Sequence, residues 1–291
     1  MVEDIRADWP NRAASRYLEA GGLRWHVQTL GDVGPVLLLL HGTGAATHSW
    51  AGLAPLLAER FRVVAPDLPG HGYSGYSARA RSLPGMAAAL GALLQALALS
   101  PALLVGHSAG AAVAVRLALD GLAEPAAIVS LNGALLPLPG MMGKLFPGAA
   151  RVLDRVPALP RLLALSVRQR PMMARFIEQT GSASDNIGVE FYHELSRSPR
   201  HIRGVLGMMA AWDLEALERD LPALRQPLHL VTCHNDRAVP PAQARSLLGR
   251  LPGATLHPLP GFGHLGHEED PAHFAALIAG IADQAGVFGP P

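Results

Sequence analysis

The sequence predicts an α/β fold, a mostly parallel and doubly wound sheet with one helical cap insertion. Two patterns lead there. Short apolar runs of strand length alternate with helical patterns up to Leu131 and again after Leu221, which implies crossover connections and helices covering both faces of a sheet. Between Asn132 and Leu221 the alternation stops, and about ninety residues with short helical patterns and no convincing strand intervene, too many for an ordinary loop.

In chain order, Ser15–Ala20 and Leu23–Leu30 flank Gly21-Gly22, the signal for a two-residue hairpin. Pro35–Leu40 (PVLLLL) is wholly apolar, as expected of a strand buried on both faces of a parallel sheet. Arg62–Pro66, Ala102–Gly106, Ala126–Leu131, Pro227–Cys233 and Thr255–Leu259 are the further strands. Helical patterns at His48–Ala58, Gly85–Leu99, Ser108–Asp120, Pro241–Arg250 and Pro271–Gln284 lie between and after them. The expected core is therefore 1–132 with 222–291, and the expected cap, or lid, is 133–221. Most of the eight methionines fall in that insertion (Met141, Met142, Met172, Met173, Met208 and Met209), and basic residues outnumber acidic ones two to one from Lys144 to Arg203.

One stretch could pass for a membrane span. Ser82 to Val115 contains no Asp, Glu, Lys or Arg. Within it, however, Met86, Leu90, Leu93, Leu94 and Leu97 recur at helical spacing on one face, and Pro101 then breaks the run ahead of a short apolar strand. Helix, buried strand, turn and helix is the reading adopted. Residues 1–16 mix acidic and basic side chains with no apolar run, unlike a signal peptide. A cytoplasmic protein without a transmembrane segment is expected.

Composition narrows the function classes. With 49% apolar and 16% charged residues, disorder and coiled coil are excluded. A net charge of +1 leaves no electrostatic footprint for nucleic acid. The single cysteine, Cys233, excludes an internal disulfide framework and a cysteine-based zinc site. There is no Gly-x-x-x-x-Gly-Lys-Ser/Thr phosphate loop and no Gly-x-Gly-x-x-Gly after the first strands.

Gly106-His107-Ser108-Ala109-Gly110 follows a buried strand and opens a helix of small residues. A nucleophile must project from a tight turn, which glycines two residues to either side make possible. The helix N-terminus then places backbone N–H groups beside developing negative charge. A serine hydroxyl needs a base, and the base an orienting acid. Candidates follow in the order Ser…Asp…His: Asp236 just past the strand ending at Cys233, and His264 in the glycine turn after Leu259. His267 is the second choice of base and Asp213 of acid. His41-Gly42-Thr43-Gly44 closes the first parallel strand, so the N–H groups of Thr43 and Ala109 are the expected oxyanion donors. His264-x-x-His267-Glu268 has a metal-like spacing but is not His-Glu-x-x-His and has no evident third ligand cluster.

These residues, with Asp67-Leu68-Pro69-Gly70-His71-Gly72-Tyr73-Ser74 and the run from His264 to Pro271, resemble the α/β-hydrolase superfamily from about Leu23 to Ala285. A dehalogenase would carry Asp in place of Ser108. Further stretches resemble the magnesium-chelatase accessory proteins of bacteriochlorophyll biosynthesis: Asp8–Arg12, Val36–Trp50, Leu131–Pro137, Thr180-Gly181-Ser182 and Met208–Leu214 (MMAAWDL). The resemblance implies a Ser108–His264–Asp236 hydrolase that forms an acyl-serine on an ester-like bond in that photosynthetic pathway, with no cofactor or metal of its own. It implies an apolar or tetrapyrrole-like small-molecule substrate and makes magnesium-chelatase subunits candidate partners. A non-catalytic porphyrin- or chelatase-binding accessory, and a general carboxylesterase or carbon–carbon bond hydrolase, are the alternatives. Methionines suit broad apolar ligands and arginines suit propionates, but the residues alone favour Met pairs that pack the cap and Arg side chains that face water.

Overall fold

The computed structural model of the chain describes residues 5–137, 156, 158–166, 170–185 and 187–289. Its frame is an eight-stranded sheet. The strands are β1 (Ser15–Ala20), β2 (Leu23–Leu30), β3 (Val36–Leu40), β4 (Arg62–Pro66), β5 (Leu103–His107), β6 (Ala127–Leu131), β7 (Leu228–Cys233) and β8 (Ala254–Leu259). They lie in the order β1-β2-β4-β3-β5-β6-β7-β8. The β1–β2 and β2–β4 pairs are antiparallel and all others parallel. The hairpin turn is the one expected: Gly21 and Gly22 both adopt positive φ (58° and 73°), the requirement of a type I′ turn.

Period-two alternation distributes the core to both faces. Leu38, Leu40 and Leu104 pack with α2 (Leu83–Ala96) and α3 (Ala109–Leu119) on one side. Leu37, Leu39, Leu103 and Val105 pack on the other with α1 (Leu53–Leu57) and the C-terminal helix Pro271–Gln284. The uncharged stretch from Ser82 is thus α2, β5 and the start of α3, and no helix among the described residues is long and apolar enough to cross a membrane.

Boundaries move where side-chain hydrogen bonds intervene. Helix α2 starts at Leu83, two residues before the periodicity suggests, because Ser82 Oγ caps it by accepting from Gly85 N–H (3.2 Å). The single helix expected over His48–Ala58 is instead a 3-10 turn, Thr47–Trp50, followed by the short α1. Asp67 takes the Thr47 N–H and Glu268 takes the Ser49 hydroxyl, which hold the first turn against the core. Strand β8 carries Pro258 and is less buried than β7, as suits a sheet edge.

Between β6 and β7 the described residues form α4 (Leu159–Ser166), α5 (Arg170–Gln179), α6 (Val189–Ser196), α7 (Pro199–Ala211) and α8 (Leu214–Asp220), with no strand among them. Met141, Met142 and Lys144 lie outside the described residues. After β7 come α9 (Pro241–Leu248), α10 (Gly266–Glu269) and α11 (Pro271–Gln284). Two glycine contacts set how closely the insertion meets the sheet's carboxyl edge. A Cβ at Gly204 of α7 would lie 2.1 Å from Gly70 O, and one at Gly181 would lie 1.8 Å from Asn235 O. Ser182 Oγ accepts from Leu265 N–H (2.8 Å), and Thr180 O accepts from Arg237 N–H (3.0 Å). Thr180-Gly181-Ser182 is therefore wedged against both the 235–237 and the 263–265 loops. Met208 is buried in the core on the α2–α3 side, Met173 packs against the Ile177–Leu265 cluster, and Met172 is exposed.

Candidate active site

The sheet order puts β4 on one side of β3 and β5 on the other. Chains leaving the carboxyl ends of β3 and β5 diverge there, and such a switch point is where open α/β sheets bind ligands. The turn after β3 carries Thr43 and the turn after β5 carries Ser108.

Ser108 holds φ 51° and ψ −118°, backbone strain of about 1–3 kcal/mol for a residue with a Cβ. The surroundings over-determine it. Its N–H donates to Leu131 O (3.0 Å), and its carbonyl accepts from Ala111 N–H (3.1 Å) and Ala134 N–H (3.0 Å). The flanking glycines are required by space: a Cβ at Gly106 would meet Ala111 N at 2.4 Å, and one at Gly110 would meet Leu40 O at 2.0 Å.

Asp236 and His264 meet across the ends of β7 and β8. His264 Nδ1–H donates to Asp236 Oδ2 at 2.8 Å, and the Asp236 side chain has no exposed surface. The other carboxylate oxygen, Oδ1, accepts from Ala238 N–H (2.8 Å) and Val239 N–H (2.9 Å). This holds the acid in one rotamer and assigns the proton of neutral His264 to Nδ1, so Nε2 carries the free lone pair. No hydrogen bond joins Ser108 Oγ to His264 among the described residues. The two share supports instead: His107 Nε2–H, next to Ser108, donates to the His264 carbonyl at 2.9 Å. Burial pushes the His107 pKa well below its ordinary value, so this strut is neutral.

The β3 turn lies against the same serine. A Cβ at Gly42 would sit 3.1 Å from Ser108 Cβ and 2.9 Å from His107 Nδ1. Ala45 N–H closes the turn onto Gly42 O (3.2 Å), and Gly44 takes φ 79°. The N–H groups of Thr43 and Ala109 have no acceptor among the described residues, which leaves both available to an incoming oxygen.

The second choices have other work. Asp213 caps α8 by accepting from Ala216 N–H (3.0 Å). His267 is buried against Ser49 Oγ (3.0 Å), and burial lowers its pKa to about 3.

Asn132 is the residue that motif reasoning passed over. With φ 46° at the end of β6, its Nδ2 donates to Gly263 O (3.1 Å) and His264 O (2.9 Å), and its Oδ1 accepts from Cys233 N–H (2.8 Å). It ties the His264 loop to the end of β7, just before Asp236. Asn-Gly after a strand is a turn signal and nothing more. Asp67 was likewise legible only as part of a loop pattern. Its fully buried carboxylate accepts from Thr47 N–H (2.7 Å), Tyr73 N–H (2.8 Å) and His26 Nδ1–H (2.7 Å). Burial would raise its pKa, but His26 and the backbone donors outweigh that and hold it far below the carboxylate range.

Glu268 has the opposite balance. Its Oε1 accepts from Ser49 Oγ (2.5 Å) and Tyr192 OH (2.6 Å), yet burial dominates and raises its pKa to about 7. A raised carboxyl pKa makes the folded state hold a proton that the unfolded state loses above about 4.5. Its contribution therefore falls as pH rises from there to about 7, by at most on the order of 3 kcal/mol. Glu268→Gln keeps both acceptor bonds without the ionisation. It should raise Tm at pH 8 while leaving it nearly unchanged at pH 4.5; equal shifts at both pH values would refute the assignment.

Residues 37–277 match the Alpha/beta hydrolase family. The chain is 41% identical over 266 residues to the magnesium-chelatase 30 kDa subunit of Rhodobacter capsulatus, covering 91% of this chain and 93% of that one. It is 30% identical to the pyrrolizixenacetamide deacetylase of Xenorhabdus hominickii over 84% of this chain and 90% of the other. The crystal structure of Cfl2 from Burkholderia cenocepacia superposes with a TM-score of 0.76 at 24% identity, covering 92% and 95% of the two chains. The family match runs from within β3 to within α11 and so takes in both site turns and the Asp236–His264 pair, and the chain belongs to the alpha/beta hydrolase family.

Proposed function

We propose that this protein is a serine hydrolase of bacteriochlorophyll biosynthesis that cleaves an ester-like bond in an apolar or tetrapyrrole-like small molecule. The observation that carries the chemistry is the buried Asp236–His264 hydrogen bond at 2.8 Å, beside a serine held on a strained turn. As Ser108 Oγ attacks a carbonyl, its proton passes to His264 Nε2, and Asp236 stabilises the imidazolium. The oxyanion accepts from the Thr43 and Ala109 N–H groups. His264 then protonates the leaving group as its bond to the acyl carbon breaks. Water deprotonated by His264 attacks the acyl-serine, and the acyl–Oγ bond breaks as His264 returns that proton to Ser108 Oγ, releasing the acid product. The described helices between β6 and β7 act as the cap of this site, and the wedge at Thr180-Gly181-Ser182 supports the Asp236 and His264 loops.

The pathway assignment rests on the 41% identity to a protein named as a magnesium-chelatase subunit. The same identity favours a second reading, an accessory that holds a porphyrin or contacts chelatase subunits without turning over. Intact-mass labelling with a fluorophosphonate separates the two. A single adduct on the native chain that is absent from Ser108→Ala is expected. A folded native protein that takes no adduct would overturn the catalytic reading and leave the accessory one. Protoporphyrin titration followed by absorbance tests the pigment assignment: a spectral change at micromolar protein supports it, and none would overturn it in favour of a general esterase.

A further inference from the structure

We propose that His201, carried on α7 of the insertion, is a positioning residue that sets the oxyanion turn. The inference rests on the hydrolase reading above and concerns how Thr43 N–H is aimed.

The His201 ring is buried and bridges two core loops. Its Nδ1 accepts from Gly72 N–H (3.1 Å), and its Nε2–H donates to Gly44 O (3.2 Å). Only the neutral ring protonated at Nε2 satisfies both partners. Burial lowers the His201 pKa to about 4, so that form prevails at neutral pH. Gly44 is one of the two central residues of the Gly42–Ala45 turn and takes φ 79°, and a Cβ there would touch nothing within 4 Å. Packing at that point therefore restrains the turn little, and the outside bond to its carbonyl supplies the anchor. Thr43, the other central residue, is held from the same helix: its hydroxyl donates to Met208 Sδ (3.7 Å).

Positions 201, 204 and 208 lie on one face of α7. Gly204 lets that face approach the Gly70 backbone, and the Arg200 guanidinium donates to Gly72 O (2.5 Å) and Ser74 O (2.7 Å). The helix packed against the Gly42–Ala45 turn thus helps to complete the site. Displacing α7 would release the turn that presents the oxyanion donor.

The test is the fluorophosphonate reaction, whose phosphoryl oxygen enters the oxyanion site, with inactivation rate and inhibitor affinity measured separately. His201→Asn keeps an acceptor toward Gly72 N–H but is too short to reach Gly44 O. His201→Gln places an amide N–H where Nε2–H stands. The maximal rate should fall roughly 10- to 100-fold in His201→Asn and His201→Ala, the scale of a misplaced group, with affinity nearly unchanged and most of the loss recovered in His201→Gln. An unchanged rate in His201→Asn would overturn the proposal. So would weaker affinity at constant rate, which marks a substrate contact, or a Gln variant as slow as Ala, which marks packing alone. Ser108→Ala separates the two levels: an adduct persisting there defeats the hydrolase reading itself, whereas its loss together with normal His201 variants defeats only this inference.

Discussion

Ser108→Ala and His264→Ala should each lower turnover of a reporter ester by about a millionfold, and the double variant should be no slower than either single one. In the proposed mechanism nucleophile and base act as one unit, so removing either ends the covalent route. What remains, about 10³–10⁴ over water, comes from binding and the oxyanion donors. Stopped assays at high enzyme concentration would measure it. Among the described residues, His107, whose ring lies against His264, and His267, whose ring lies against His107, are already engaged. His267 is turned to Ser49 and its basicity is suppressed by burial, and the His107 ring is spent on the His264 carbonyl. Effects that multiply in the double variant would show two independent contributions and break the assignment.

Gly110→Ala should cost on the order of 3 kcal/mol or more, seen as a Tm lower by roughly 5–10 °C with loss of the serine adduct. The added carbon would lie 2.0 Å from Leu40 O, 2.6 Å from Leu40 C and 2.7 Å from His41 O. All three atoms are backbone, at the end of a strand paired on both sides, so no side-chain rotation relieves the clash. Gly249→Ala is the matched control: its backbone is helical (φ −72°), nothing lies within 4 Å, and Tm should hardly move. A Gly110→Ala variant as stable as Gly249→Ala would mean that α3 can slide away from β3.

Much of the frame was legible because its causes are local. A strand buried on both faces must be apolar at successive positions, and PVLLLL meets that condition before any partner is known. Gly21-Gly22 and Gly106-x-Ser-x-Gly110 likewise encode backbone requirements a few residues wide, and the turns they predict are present with the φ values or close contacts those turns demand. The helix expected over His48–Ala58 was misread for the complementary reason. Its apolar spacing is helical, but Asp67 and Glu268, distant in sequence, claim groups of its first turn.

The site divides in the same way. Sequence by itself determined the fold class and the serine turn and singled out Asp236 and His264 after successive strands, since each follows from neighbouring residues and the strand before them. Only the tertiary structure decided that Asp236 and His264 are bonded while Asp213 caps a helix, that Asn132 braces the base loop, and that His201 of the insertion grips the turn beside Ser108. The physical reason is range. Periodicity and turn chemistry act over a few residues, whereas these contacts depend on sheet order, which brings the carboxyl ends of strands far apart in the chain to one edge.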